Sequence, residues 1–216
     1  MLHTLRLLLM RPGELAREID EGRDRCSMRP LTLLLNLIPL FFLLGGGHGG
    51  FGTQMFVAAD TTGRVERAIE QRAGRRDVPL PVMRERVEQR FRAAYSLLVV
   101  VQAVTYGLAI ALVERRHHKP SIVHLAAGIH YMCFSFLVSA VMFGAFKLLD
   151  DSLSSHPAAA VSILLVNATY MALALRRIYG DPPLRAAALA VTVMAMNYLV
   201  ALTLTGSALL VALFTA

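Results

Sequence analysis

The sequence contains no tryptophan, only two cysteines and few charged residues, and these scarcities exclude several classes of protein. Two cysteines, Cys26 and Cys133, cannot build a disulfide scaffold. Only 17% of the residues are charged and 56% are hydrophobic, whereas a soluble globular chain has about 25% charged and 45–50% apolar residues. The same balance excludes an intrinsically disordered or collagen-like chain. The composition therefore predicts a polytopic membrane protein.

Motifs of the common enzyme classes are also absent from the sequence. The chain has no phosphate-binding loop, no Gly-x-Ser-x-Gly turn, no His-Glu-x-x-His motif and no Cys-x-x-Cys pair. We therefore expect a non-enzymatic protein.

The 22 basic residues outnumber the 15 acidic ones, but their arrangement does not indicate a nucleic-acid-binding protein. Fifteen of the 22 lie at or before Arg92, and the others lie at or near the ends of apolar segments. No basic stripe carries interleaved aromatic residues. Membrane orientation and contact with anionic lipid headgroups explain the excess more simply. Membrane lipids, and no nucleic acid, are therefore the predicted partners.

Five apolar segments are long enough to cross a bilayer as helices. They are residues 31–47, 95–113, 122–149, 158–175 and 186–214. The sequence thus predicts an all-α fold, with a five-helix transmembrane domain over residues 31–216. Residues 1–30 are too polar to span, and we expect them to form interfacial amphipathic helices. A polar insertion over residues 60–94 has two amphipathic stretches and is too small for a core of its own, so we expect it to pack on the membrane portion.

The short loops predict the orientation in the membrane. Residues 114–120 and 176–185 contain three basic residues each, and the first thirty residues contain six. Residues 150–157 and the C-terminus contain none. The insertion is an exception with nine arginines, but its six acidic residues nearly balance them. We therefore expect a cytoplasmic N-terminus and an extracytoplasmic C-terminus.

Three short segments occur together in a characteristic order. They are Arg11-Pro-Gly-Glu with Gly22-Arg-x-Arg and Pro30, then His124-x5-His130-Tyr131 with Phe134, then Arg176-Arg177-x-Tyr179-Gly180. In this order they resemble the bacterial membrane family catalogued as domain of unknown function 3667. The resemblance implies a multi-pass protein of the bacterial inner membrane and supplies no established reaction. Many members carry an N-terminal zinc ribbon of paired cysteines, which this chain lacks.

Two histidines lie inside the third predicted span, where ionisable residues are costly and often functional. The six-residue spacing turns His124 and His130 about 240° apart around the helix, so one metal ion is not easily held by both. His124 instead shares a face with Tyr131. We expect a polar seam there, with Asn167 and Asn197 as partners on the crossing helices. The leading hypothesis is that this seam handles a small solute, a proton or a lipid; a purely structural role for the histidines stays open.

Two other function classes stay open, although no cofactor is expected. A redox protein could bind haem, but both intramembrane histidines lie on one helix. The haem would then be held by one histidine alone, by a histidine and a methionine, or with a ligand from another chain. Candidate methionines are Met171, Met194 and Met196. A zinc or other divalent site at the outer face would use His48, Asp150, Asp151 and His156. The third class is an accessory subunit of a larger membrane complex or a homo-oligomer.

Basic residues at the ends of the spans are predicted to contact lipid headgroups. They are Arg115, Arg116, Lys119, Arg176 and Arg177. The same residues fit the alternative role of anchoring the loops on the inner side.

Overall fold

The computed structural model describes residues 2–23, 28–45, 63–149 and 157–215. Within these ranges the chain forms eight α-helices and one 3-10 turn over Arg115–His117, with no strand, so the all-α prediction is confirmed. In chain order the helices are α1 (Leu2–Met10), α2 (Glu14–Asp20), α3 (Pro30–Gly45), α4 (Arg64–Arg76), α5 (Leu80–Val113), α6 (Ser121–Leu149), α7 (Pro157–Tyr179) and α8 (Pro183–Thr215).

Four helices, α5 to α8, are long and apolar enough to cross a membrane. They coincide with four of the five predicted spans, and the architecture is that of a polytopic membrane protein. The remaining predicted span corresponds to α3, which has 16 residues and contains Pro39. A spanning helix usually needs about 20 residues. The number of crossings therefore stays a prediction.

Helix α5 is one unbroken helix of 34 residues that joins the polar insertion to a span. A change in hydropathy at residue 94 separates the predicted insertion from the predicted span over residues 95–113. No glycine or proline lies between Pro81 and Gly107, so nothing in the chain ends the helix where its polarity changes. The helix therefore continues from the polar insertion into the apolar span without a break.

Helix α4 packs on one end of α5 and on the last turns of α8. Its residues Ile69 and Ala73 are buried in a small apolar cluster, separate from the main core. The other members of this cluster are Met83, Val87, Phe91, Ala208, Leu209, Ala212 and Leu213. Arg72 donates a hydrogen bond of 3.1 Å to the Phe214 carbonyl, and its guanidinium lies 5.3 Å from the centre of that ring. The insertion therefore buries its apolar side chains against the C-terminal part of α8.

Two glycines bring α5 and α6 into backbone contact. A Cβ atom on Gly107 would lie 2.7 Å from the Leu125 Cα, and one on Gly128 would lie 2.8 Å from the Gly107 Cα. Carbon atoms do not pack at these separations, so neither position accepts a larger residue unless the helices move apart. Small residues allow this kind of close approach between membrane helices.

The N-terminal helix pair, α1 and α2, packs into the bundle. Its buried apolar residues, which belong to the main core, are Leu7, Leu8, Leu15 and Ala16. The turn between the two helices contains Gly13 at φ +80°, where a Cβ would lie 2.7 Å from the Ala174 carbonyl oxygen in α7. Protein therefore covers much of the apolar face of this pair, a location that the sequence pattern alone did not indicate.

Candidate functional site

Two short connectors lie at the end of the bundle that holds the N-terminal helix pair. After α5, the turn Arg115–His117 leads toward α6. After α7, Gly180 adopts a left-handed conformation at φ +73°, which only glycine takes without strain, and Pro183 begins α8 three residues later. These compact turns bring Glu114 and Asp181 together, although the two residues are far apart in the sequence.

Glu114 and Asp181 form a buried carboxyl pair. Glu114 is 0% exposed and Asp181 is 3% exposed. Within the described part of the chain, neither oxygen of Glu114 and only one oxygen of Asp181 has an N–H or hydroxyl donor. A buried carboxylate without donors is costly. A proton held between the two carboxyl groups removes this cost, because a protonated Glu114 can donate to Asp181.

Burial is the main cause that raises the pKa of Glu114 to about 8, and the hydrogen bond and charge of Asp181 act in the same direction. Burial also opposes ionisation of Asp181, but hydrogen bonds from Glu114 and Arg116 outweigh it and lower the pKa of Asp181. Because the two carboxyl groups are coupled, they titrate as a pair. The pair therefore retains one proton near neutral pH.

Two arginines and a histidine surround the carboxyl pair. The Arg116 Nη2 lies 2.5 Å from the Asp181 Oδ1, and Arg185 lies 3.6 Å from Glu114 and 3.5 Å from Asp181. The His117 Nε2 lies 3.4 Å from the Glu114 Oε2 and 3.5 Å from the Asp181 Oδ1. Glu114, His117 and Asp181 each offer one possible metal-ligand atom within 4.8 Å of the others. Since Arg116 and Arg185 already offset the carboxylate charges, little net negative charge is left to attract a divalent cation.

A tyrosine and a second histidine continue from this group into the bundle. The ring centres of His117 and Tyr179 are 5.4 Å apart. The Tyr179 hydroxyl and the His124 Nδ1 share a hydrogen bond of 2.6 Å, and their rings stack with centres 5.6 Å apart. Imidazole and phenol groups can both donate and accept a proton. We call Glu114, His117, His124, Tyr179 and Asp181 the connector cluster.

The five residues of the predicted polar seam are all buried, but the described structure does not join them into one line. His124 belongs to the connector cluster. Asn197 accepts a hydrogen bond of 3.1 Å from the Thr105 hydroxyl, which links α8 to α5. Asn167 donates to the Ile163 carbonyl in its own helix at 2.8 Å. Asn197 therefore links α8 to α5 and not to the seam on α6, and the amide hydrogen bond of Asn167 is local.

His130 and Tyr131 lie away from the connector cluster, on the side of α6 covered by the N-terminal helix pair and α7. Neither ring nitrogen of His130 has a hydrogen-bond partner among the described residues. The histidine borders a cavity of about 10 Å³, together with Leu8, Arg11, Gly13, Leu15, Ala16, Ala127, Tyr131, Tyr170, Ala174 and Ile178. This volume holds about one water molecule. A haem does not fit in the cavity as it stands.

Three of the five basic residues predicted to contact headgroups are bound to protein groups. Arg116 pairs with Asp181, and Lys119 pairs with Asp20 of α2. Arg177 donates a hydrogen bond of 3.0 Å to the Pro12 carbonyl. Lys119 and Arg177 thus attach the N-terminal helix pair to the bundle. The other two are exposed, with no ion pair in the described ranges: Arg115 and Arg176.

Sequence reasoning missed four residues of the connector cluster: Glu114, His117, Tyr179 and Asp181. A signal was present, because Glu114 is the only acidic residue in 114–120 and Asp181 is the only one in 176–185. The positive-inside rule uses only the basic residues of the two loops, so it gives these two acidic residues no role. The candidates for an outer metal site lie outside the described residues: His48, Asp150, Asp151 and His156.

Comparison of the chain with family models, with curated proteins and with solved structures found no match in any of the three. The resemblance to the domain of unknown function 3667 family therefore stays a prediction based on its three short segments.

Proposed function

We propose that this chain is a non-enzymatic integral membrane protein that binds and releases a proton at the connector cluster. The observation that carries the proposal is the burial of Glu114 and Asp181 against each other at one end of the helical bundle. Burial and the neighbouring Asp181 oppose ionisation of Glu114 more strongly than the charge of Arg116 favours it, so we infer that the two carboxyl groups share a proton. Buried ionisable residues at the ends of spanning helices are costly to keep and are often used for proton exchange.

The connector cluster also contains side chains along which a proton can move away from the carboxyl pair. His117 contacts both carboxyl groups, and Tyr179 lies between His117 and His124. Histidine exchanges protons readily near neutral pH. His130 lies about 240° around α6 from His124, so the route ends at His124 in this conformation. The geometry supports exchange with one side of the membrane.

We assign the end that carries the connector cluster to the cytoplasm of a bacterial cell. The two connectors are rich in basic residues, and the positive-inside rule favours this side. The N-terminal helix pair lies at the same end, since Lys119 pairs with Asp20. Helix α4 and the C-terminal end of α8 lie together at the opposite end. This assignment gives a cytoplasmic N-terminus and an extracytoplasmic C-terminus.

Infrared spectroscopy of the full-length protein in lipid vesicles tests the proposal directly. A protonated carboxyl group gives a carbonyl band that a carboxylate lacks, and we expect one at pH 7 that fades as the pH rises past about 8. The Glu114→Gln variant should lose this band. The Glu85→Gln variant changes an exposed glutamate of α5 and should keep the band. A wild-type protein without the band at pH 7 contradicts the shared proton, as does a band that survives in Glu114→Gln.

A further inference from the structure

A groove of about 290 Å³ opens between α7 and α8, at the end of the bundle that carries the connector cluster. Much of its lining is formed by small apolar side chains: Ala168, Ala172, Ala186 and Ala187. From Ala168 to Arg176 the groove follows about 12 Å of helix. This length is close to the roughly 15 Å of hydrocarbon in one leaflet of a bilayer. The groove therefore has the length and the polarity of a site for an acyl chain.

Arg176 lies at the connector end of this groove, one turn before the end of α7. It is exposed and has no ion pair among the described residues, whereas the neighbouring Arg177 is bound to the segment before α2. Among the described residues, no acidic side chain lines the groove. The apolar groove thus ends at Arg176, a positive charge with no acidic partner among the described residues, near the level expected for lipid headgroups.

We propose that this groove binds one anionic phospholipid, with an acyl chain along α7 and α8 and its phosphate on Arg176. A second copy of the chain is a poorer occupant, because a two-fold contact through the groove would bring two Arg176 side chains together without an acidic partner. A zwitterionic lipid also carries a phosphate, but its own ammonium group balances that charge and leaves no net negative charge for Arg176. This site is separate from the connector cluster and does not depend on the proposed proton chemistry.

Native mass spectrometry of delipidated full-length protein tests the site. The probes are phosphatidylglycerol and phosphatidylcholine with identical acyl chains, added in equal amounts. We expect one phosphatidylglycerol per wild-type chain and weaker retention of phosphatidylcholine. Arg176→Gln should weaken phosphatidylglycerol binding about fivefold, the effect of one basic residue near an anionic headgroup. Arg115→Gln removes an exposed, unpaired cation outside the groove lining and should bind as the wild type does.

A second pair of variants tests the acyl-chain part of the groove. Ala187→Phe fills the groove and should abolish retention of the lipid. Ala188→Phe adds the same ring at the adjacent exposed position, which does not line the groove, and should retain it. Equal loss in Arg176→Gln and Arg115→Gln, equal retention of the two lipids, or lipid binding by Ala187→Phe would each overturn the proposal. A wild-type dimer that Ala187→Phe dissociates would also overturn it, because the groove would then bind a second copy.

Discussion

Replacing Glu114 by glutamine tests the shared proton through the stability of the fold. Burial and Asp181 raise the pKa of Glu114 from its ordinary value of 4.5 to about 8 in the folded protein. The stabilisation that comes from this proton is complete below pH 4.5, where both states are protonated, and is lost as the pH rises to about 8. From pH 5 to pH 8 the free energy of unfolding should fall by up to about 4 kcal/mol, at roughly 1.36 kcal/mol per pH unit.

For a chain of this size, a loss of that magnitude lowers the Tm by about 8–16 °C. Circular dichroism of the detergent-solubilised protein can measure the Tm at the two pH values. Glu114→Gln has no proton to lose and should show a much smaller fall, whereas Glu85→Gln should behave as the wild type does. Asp181 has a lowered pKa and loses its contribution only in acid, below about pH 4, so it adds nothing in this window. An unchanged wild-type Tm, or the same fall in Glu114→Gln, would refute the shared proton.

Three further predictions test contacts described above, and two of them have a matched control variant. The first and the third are measured by thermal unfolding in detergent, and the second by sensitivity to protease. Gly128→Ala should lower the free energy of unfolding by about 1–3 kcal/mol, because its Cβ would overlap the backbone of α5. The control Gly206→Ala, with no atom within 4 Å of its Cβ, should raise the free energy of unfolding by up to about 1 kcal/mol. The same change in the free energy of unfolding for both variants would contradict the close contact between α5 and α6. Gly13→Ala should push the N-terminal helix pair away from α7 and make it sensitive to protease. Gly22→Ala has a similar left-handed φ but open space around it, so equal sensitivity of the two variants would argue against that packing. Tyr179→Phe should cost about 1 kcal/mol through the lost hydrogen bond to the histidine, and an unchanged stability would show that this bond contributes nothing.

The sequence was most informative where long apolar segments had no alternative to membrane-spanning helices. Helices α6, α7 and α8 lie close to the predicted spans for this reason. The hydropathy change after Ala94 predicts where the apolar span begins but not where α5 begins, because helix ends depend on glycine, proline and capping residues. Burial of α1 and α2 was not predictable from their pattern, since an apolar helix face packs equally well on lipid and on protein.

The candidate site was predicted only where one residue was unusual in its own surroundings. A histidine inside an apolar helix is conspicuous, and His124 does take part in a polar contact with another helix. Glu114 and Asp181 were inconspicuous, because each lies in a polar loop where an acidic residue is ordinary. Their importance comes from the meeting of two loops, and that meeting depends on the packing of α5, α6, α7 and α8. Local patterns cannot report such a contact.

The length of α5 has a mechanical consequence for the carboxyl pair. Thirty-four residues make a rod of about 51 Å, so roughly 20 Å of it extends beyond a hydrocarbon layer of about 30 Å. One end of this rod carries α4, and Glu114 directly follows the other end. Helix α8 lies alongside, bound to α4 at its far end and preceded by the loop that holds Asp181. Because α4 packs on both helices at that end, it resists sliding of one helix past the other and so helps to keep the two carboxyl groups close together.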